Sequence, residues 1–410
     1  MDKIIIKNTF YQLATRIFTS GIGFLTILII ARQFGVLGYG DFTKIASFIA
    51  LFYLIADFGL NAVFLRDDEK GIHFRDLFYF RLLIAASLII LAIAISFLLP
   101  FNKQLGIGFS ESVRLGIFIF SLSILNQAIL TTCNAVFQRK LKYHLSMLSS
   151  MGGSAITLIS VLVFSILNFS LYYILIAMLI GGGITSFLSI ILTKENISLK
   201  MPDIGFIKKL LIEGFPLALA LIFNLIYFRI DIILLSFLKP TSDVGIYGFS
   251  YKFFDFLIAL PLFLSNALYP SLLIHKNNYR KFFTAIKKYS LLLLMFSFFL
   301  TFVLWFLAPL IGLVRIDFYP SIFTFRILLL SLPFFFASSI LQWALIAKKE
   351  QKFLMYVYLF ASILNIVLNL IFIPIASYTA SAIITGISEG IVFALLLAKI
   401  INVQKNFSKQ

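Results

Sequence analysis

About twelve apolar stretches, each close to the length that crosses a bilayer, occupy this chain almost from end to end. A helical span of the hydrocarbon core takes roughly 20 predominantly apolar residues. Such segments run at roughly 9–33, 41–65, 77–99, 113–137, 145–168, 170–193, 214–238, 244–272, 289–312, 321–347, 353–375 and 378–402. With 61% hydrophobic and 12% charged residues, little chain is left over for a soluble domain. The sequence therefore predicts an all-α polytopic membrane protein of about twelve transmembrane helices. A length of 410 residues would otherwise suggest two or three soluble domains. The connections near 66–76, 194–213 and 273–288 are the longest, and they are too short to fold as enzymatic modules. The first span lacks a small-residue cleavage pattern and runs straight into a second, so it is not read as a signal peptide. Cys133 is the only cysteine, which excludes disulfide frameworks and cysteine-based metal sites.

The net charge of +17 has a sidedness that argues against nucleic acid as its partner. The N-terminus, connections 2–3, 4–5, 6–7, 8–9 and 10–11, and the C-terminus hold 24 of the 34 Lys and Arg. The alternate set holds six: Arg32, Lys44, Lys103, Arg114, Lys239 and Arg315. Arg16, Arg229, Lys252 and Arg326 lie inside spans. This is the positive-inside pattern, and it places both termini in the cytoplasm, in agreement with an even span count. Topology and lipid headgroups account for the basic connections, and for His73, His144 and His275 within them.

Six spans precede the polar connection 194–213 and six follow it. Within it Ile204, Ile207, Leu210 and Leu211 recur at steps of three and four, the pattern of a segment lying along the inner membrane surface. The expected organisation is an N-terminal six-helix lobe at 1–200 and a C-terminal one at 201–410. Because six is even, both lobes start on the cytoplasmic side, so any repeat is parallel, with a pseudo-two-fold along the membrane normal. Gly38-Tyr39-Gly40-Asp41-Phe42 leads into the second span, and Gly245-Ile246-Tyr247-Gly248-Phe249 occupies the matching place in the second half.

A charge at mid-bilayer costs about 2.5–3.5 kcal/mol on insertion scales, so such residues usually face a bundle interior or a wet cavity. Eight lie well inside spans: Arg16, Asp57, Arg229, Asp231, Lys252, Asp255, Arg326 and Glu389. Six of them sit on the first two helices of each half, which points to a central pathway between two lobes. Gln12 shares a polar stripe with Arg16, and Asn61 follows Asp57 by one turn. Polar stripes in spans 4 and 11 (Gln127, Thr131 and Asn134; Ser362, Asn365 and Asn369) fit either cavity lining or hydrogen bonds between helices. Lys252 and Asp255, three apart, can neutralise one another. Arg229 and Asp231 project to opposite sides of a regular helix. Pro261 and Pro333 each remove a backbone hydrogen bond within a span. Gly181-Gly182-Gly183 and the pair Gly386 and Gly390 permit close helix packing.

No P-loop, metal-binding motif or long external loop is present, so the sequence argues against an ATPase, a metalloenzyme or a glycan polymerase. Ala31-Arg32-Gln33-Phe34-Gly35 running into Gly38-Tyr39-Gly40-Asp41-Phe42, then Asp57-Phe58-Gly59-Leu60, resemble the first two helices of polysaccharide exporters. Arg229-Ile230-Asp231, Val244-Gly245-Ile246-Tyr247 and Tyr269-Pro270 look like the corresponding signature in the second half. Together with the helix plan, the chain resembles lipid-linked O-antigen flippases, of the multidrug/oligosaccharidyl-lipid/polysaccharide exporter superfamily. It lacks the two extra helices of the peptidoglycan-precursor branch.

The resemblance implies a non-enzymatic carrier in the bacterial inner membrane. It would move an undecaprenyl diphosphate-linked oligosaccharide, an O-antigen or capsule repeat unit, outward by alternating access. Membrane lipids and polysaccharide polymerase machinery are the implied partners, with no cofactor beyond a coupling Na+ or H+. Arg16, Arg229, Lys252, Arg326, Gln12 and Asn61 become candidates for diphosphate or glycan contacts, arginine being suited to bidentate phosphate binding. Asp57, Asp231, Asp255 and Glu389 become charge partners or coupling sites. The alternative is a sodium- or proton-coupled multidrug exporter of the same superfamily, which predicts a less basic pathway.

Overall fold

A computed structural model describes residues 2–66, 74–196, 204–275 and 278–407, and the structural statements that follow concern these. His73 lies outside them. The chain divides into two compact units, Met1–Leu225 and Ile226–Gln410.

The first unit opens with α1, Asp2–Asp57, whose 56 residues would run roughly 84 Å at 1.5 Å per residue, far beyond one bilayer. It is broken at Gly35, where φ 64° and ψ −169° lie in a region open essentially to glycine. The expected first and second spans fall on either side of that residue. A second interruption, at Phe58 and Gly59 with φ 45° and 67°, separates α1 from the short α2, Leu60–Arg66. Helix α3, Phe74–Leu98, leads to a small hairpin in which β1, Phe101–Asn102, pairs antiparallel with β2, Ile107–Gly108. Helices α4 (Glu111–Phe120) and α5 (Ser123–Arg139) follow, the first capped by the Ser110 side chain, which accepts from the Val113 N–H.

Next come α6, Tyr143–Ile166, and α7, Leu171–Thr193, which cross closely. A Cβ added to Gly153 would lie 1.8 Å from Thr185 Oγ1, and one added to Gly181 would lie 1.8 Å from Thr157 Oγ1. Only glycine at both positions lets the backbones approach in this way. The expected surface segment after span six takes a different form. Helix α8, Ile204–Leu238, runs unbroken from the polar connection into the span. Leu210 and Ile207 pack on a cluster of Phe64, Phe74, Phe78 and Phe137. Packing against these rings takes Leu210 fully and Ile207 partly out of water, so this face of the amphipathic turns joins the core.

The second unit contains α9 (Thr241–His275), α10 (Tyr279–Leu307), two short 3-10 helices at Ala308–Leu313 and Ile316–Phe318, α11 (Tyr319–Ala347) and α12 (Gln351–Phe407). Helix α11 is buried along most of its length and packs against α9, α10 and α12. Helix α12, 57 residues long, is broken at Ser377, with φ 50° and ψ −135°. Pro261 and Pro333 sit inside helices that continue past them. Among the described residues, nine helical segments are long and apolar enough to cross a membrane, and two of them, Phe10–Asp57 and Gln351–Lys405, contain the breaks at Gly35 and Ser377. The protein is a multi-pass helical membrane protein.

Candidate functional site

In the first unit the dominant polar feature is a buried arginine. Arg81 on α3 is 1% exposed. Its Nη2 donates to the Asp57 main-chain oxygen at 3.0 Å and to Asp57 Oδ1 at 3.1 Å. Its Nη1 donates to Asn61 Oδ1 at 2.8 Å and to Thr132 Oγ1 at 3.1 Å. The interruption at Phe58–Gly59 leaves the carbonyl of Asp57 without its helical partner, and the guanidinium occupies that acceptor. One side chain thus joins α1, α2, α3 and α5 across a break in the backbone. Gly214 on α8 approaches the same break, its Cβ position 2.9 Å from the Phe58 carbonyl oxygen.

Arg81 falls within the expected third span at 77–99 but is not among the eight intramembrane charges read from the sequence, where it counts with the basic connection 2–3, and the structure corrects this. A lone arginine between Phe80 and Leu82, already inside the apolar run, was the available signal. Asp57 and Asn61, expected as a charge partner and a substrate contact, are both engaged by it. Lys44 is likewise buried rather than a solvated loop residue, and its Nζ donates to the Gly108 carbonyl of the hairpin at 2.7 Å.

The second unit gathers four of the intramembrane charges on α8 and α9. Arg229 Nη2 donates to both carboxylate oxygens of Asp255, at 2.8 and 3.0 Å. Lys252 Nζ stands 3.7 Å from the same carboxylate. The Arg229 guanidinium also lies over the Tyr251 ring, 5.3 Å from its centre. Two cations therefore share the Asp255 carboxylate. Asp231, two residues from Arg229, turns the other way. It accepts hydrogen bonds from the Tyr247 hydroxyl and, at 2.7 Å, from the Ile232 N–H.

A chain of hydrogen bonds continues from there through α12. Tyr247 meets Thr385 at 3.5 Å, and Thr385 donates to the Ser381 carbonyl. Ser381 Oγ donates to Asn369 Oδ1 at 3.1 Å, and Asn369 Nδ2 to Asn365 Oδ1 at 2.8 Å. Asn365 Nδ2 reaches Ser388 Oγ at 3.3 Å, next in sequence to Glu389. Glu389 itself is 3% exposed and accepts from the hydroxyls of Tyr227, at 2.5 Å, and Ser338. Asn365 and Asn369 are the span-eleven stripe, and here they bond to the neighbouring α12 segment and to each other. The tyrosines that satisfy both buried carboxylates had no distinguishing spacing, although Tyr247 belongs to the glycine-tyrosine turn already noted.

Of the remaining expected residues, Gln12 and Arg16 belong to the first unit and Arg326 to the second. Gln12 and Arg16 occupy an exposed stretch of α1, one turn from each other. Arg326 on α11 lies over the Trp305 ring at 5.2 Å, and its Nε donates to the Trp305 carbonyl at 3.2 Å.

Several solved structures share this fold. A lipid II flippase, MurJ, in an inward closed conformation superposes with a TM-score of 0.78 at 18% identity, over 96% of this chain and 87% of that one. An inward-facing multidrug resistance MATE family transporter of the MOP superfamily matches with a TM-score of 0.67 at 15% identity, over 97% and 96%. A eukaryotic MATE transporter, AtDTX14, matches with a TM-score of 0.66 at 14% identity, over 97% and 96%. The chain thus shares its fold with these transporters. No curated protein sequence matches the chain. Residues 5–273 match the polysaccharide biosynthesis protein family, and residues 216–371 match the MatE family. The first match covers well over half of the sequence, and the chain belongs to the polysaccharide biosynthesis protein family.

Proposed function

We propose that this transporter moves an undecaprenyl diphosphate-linked oligosaccharide from the cytoplasmic to the outer face of the bacterial inner membrane by alternating access. The observation that carries the reading is the cluster of Arg229, Lys252 and Asp255. Two cations against one carboxylate inside spanning helices are costly unless an anion completes the set. A diphosphate supplies that anion, and the Arg229 guanidinium, which holds Asp255 through Nη2 alone, is a donor of the kind that suits it. The prenyl tail stays in hydrocarbon, so only the glycan and the diphosphate need a polar route. An inside-negative potential favours outward movement of a carried negative charge by about 2.3 kcal/mol per 100 mV.

Twelve spans with both termini cytoplasmic accommodate this reading. The breaks at Gly35 and Ser377 each divide one double-length helix, and α8 adds a further apolar helix to the nine segments noted above. The hydrogen-bonded run from Asp231 to Ser388, and the separate Glu389 site beside it, suit a place where a proton or sodium ion is exchanged, since both carboxylates are buried among hydroxyls and amides. Contact with a polysaccharide polymerase remains part of the same reading.

The test is reconstitution in vesicles with a fluorescent lipid-linked oligosaccharide, scoring its accessibility to an external lectin. Wild-type protein accelerates exposure of the glycan. Arg229→Ala lowers the initial rate at least tenfold, and Arg229→Lys falls between. An Arg229→Ala rate equal to wild type refutes the site. The MatE match over residues 216–371 favours the second reading, a coupled multidrug exporter. Cation-driven efflux of organic cations from the same vesicles, with no glycan exposure, would establish that reading instead.

A further inference from the structure

Away from the buried clusters, the second unit carries a groove of about 590 Å³ between α10 and α11. It is lined by Phe298, Thr301, Phe302, Trp305, Phe306 and Leu330. The rings recur at steps of three and four, so they form one stripe along α10. Phe298, Phe302, Phe306 and Leu330 are all more than half exposed, which in a spanning helix means that they face acyl chains rather than protein. The lone hydroxyl, on Thr301, is spent on the Leu329 carbonyl at 3.2 Å. Nothing polar remains to hold water in the groove.

At the Trp305 end this apolar surface meets a charge. Arg326 lies over the Trp305 ring and donates its Nε to the Trp305 carbonyl. Its two Nη nitrogens make no hydrogen bond or ion pair among the described residues. Trp305 is two residues from the end of α10, and Arg326 is about 10 Å along α11 at 1.5 Å per residue, the depth at which tryptophan and arginine meet headgroups. This end also lies away from the basic residues Arg280, Lys281, Lys287 and Lys288 at the other end of α10. By the positive-inside rule it belongs to the outer leaflet.

We propose that this groove is a docking site for a polyprenyl phosphate lipid of the outer leaflet, its phosphate on the Nη face of Arg326 and its chain along the phenylalanine stripe. Charge complementarity selects an anionic headgroup at one end, and the single groove suits a lipid with one chain per phosphate better than a two-chain phospholipid. The site would hold the tail of a lipid on the outer side and delay its return. The assignment rests on the flippase reading for its biological sense, but not for its geometry.

Trp305 and Trp343 are the only two tryptophans, so Trp343→Phe, which keeps the ring contact with Tyr269, makes Trp305 the sole reporter. In vesicles of brominated phosphatidylglycerol its emission is quenched. Adding a few mole per cent of undecaprenyl phosphate should relieve at least half of that quenching. In Arg326→Gln the midpoint should rise about tenfold, with Arg326→Lys in between. Equal protection by unphosphorylated undecaprenol, or an unchanged midpoint in Arg326→Gln, overturns the proposal. Leu330→Trp, read in the Trp305→Phe, Trp343→Phe background, reports the groove from its other wall should Arg326 variants fold poorly, and an absence of protection there also overturns it. Glycan translocation without protection would refute this site alone, and protection without translocation would refute the flippase reading alone.

Discussion

Removing the guanidinium of Arg81 tests whether the break at Phe58–Gly59 is held from outside its own helix. Arg81→Met keeps a long apolar stem in the same space and deletes four hydrogen bonds, two to Asp57 and one each to Asn61 and Thr132. Breaking a buried ion pair by losing one partner costs ~3–5 kcal/mol in soluble proteins. The Asp57 side chain is 32% exposed, so solvent relieves part of that cost. Hydrogen bonds between membrane helices average about 0.6 kcal/mol, so four of them give roughly 2.4 kcal/mol. The expected loss is therefore about 2–3 kcal/mol. Asp57→Asn should cost about 1 kcal/mol or less, because its main-chain oxygen and an amide oxygen still accept. The double variant should fall short of the sum by about 1 kcal/mol, as contacting residues do. Sodium dodecyl sulfate titration in mixed micelles, followed by circular dichroism, measures all three. Strict additivity, or a wild-type unfolding midpoint for Arg81→Met, would show that the guanidinium does not hold the break.

Four other outcomes follow from local geometry. Gly35→Ala places a Cβ at φ 64°, ψ −169° and should destabilise the protein by about 1–3 kcal/mol, read as a lowered midpoint in the same titration. Ser377 occupies a similar region while its hydroxyl donates to Asp243, so Ser377→Ala should destabilise and Ser377→Gly should lie near wild type, strain relief offsetting the lost bond. Gly181→Val, whose Cβ meets Thr157 at 1.8 Å, should separate α6 from α7 and cost about 1–3 kcal/mol, visible as earlier thermal aggregation in detergent. Glu389→Gln keeps an acceptor for Tyr227 and Ser338 but removes a titratable group, so the folded protein should persist while any dependence of vesicle transport on a proton or sodium gradient disappears. A gradient response equal to wild type removes Glu389 from coupling.

Hydropathy alone made the membrane helices legible, because each span must satisfy its own backbone in hydrocarbon and so declares itself residue by residue. The same local logic marked the glycine-rich stretch at 181–183. Rotational spacing along one helix likewise separated Arg229 from Asp231, which turn to Asp255 and Tyr247 respectively. Pro261 and Pro333 lie within continuing helices, whereas the backbone leaves the helical region at Gly35 and Ser377 through positive φ.

What the chain could not declare by itself was which charges meet. Arg81 finds Asp57 across 24 residues, Arg229 finds Asp255 across 26, and Tyr227 finds Glu389 across 162. Hydropathy counted Arg81 as a topogenic charge because a lone arginine near a helix end is cheap to insert in either role. Only packing of α3 against α1 and α5 buried it, and burial then demanded partners for both of its Nη nitrogens. The polar residues were in the sequence from the start. Their pairing belongs to the tertiary structure, because a charge in hydrocarbon is settled by whatever neighbour the fold brings within reach.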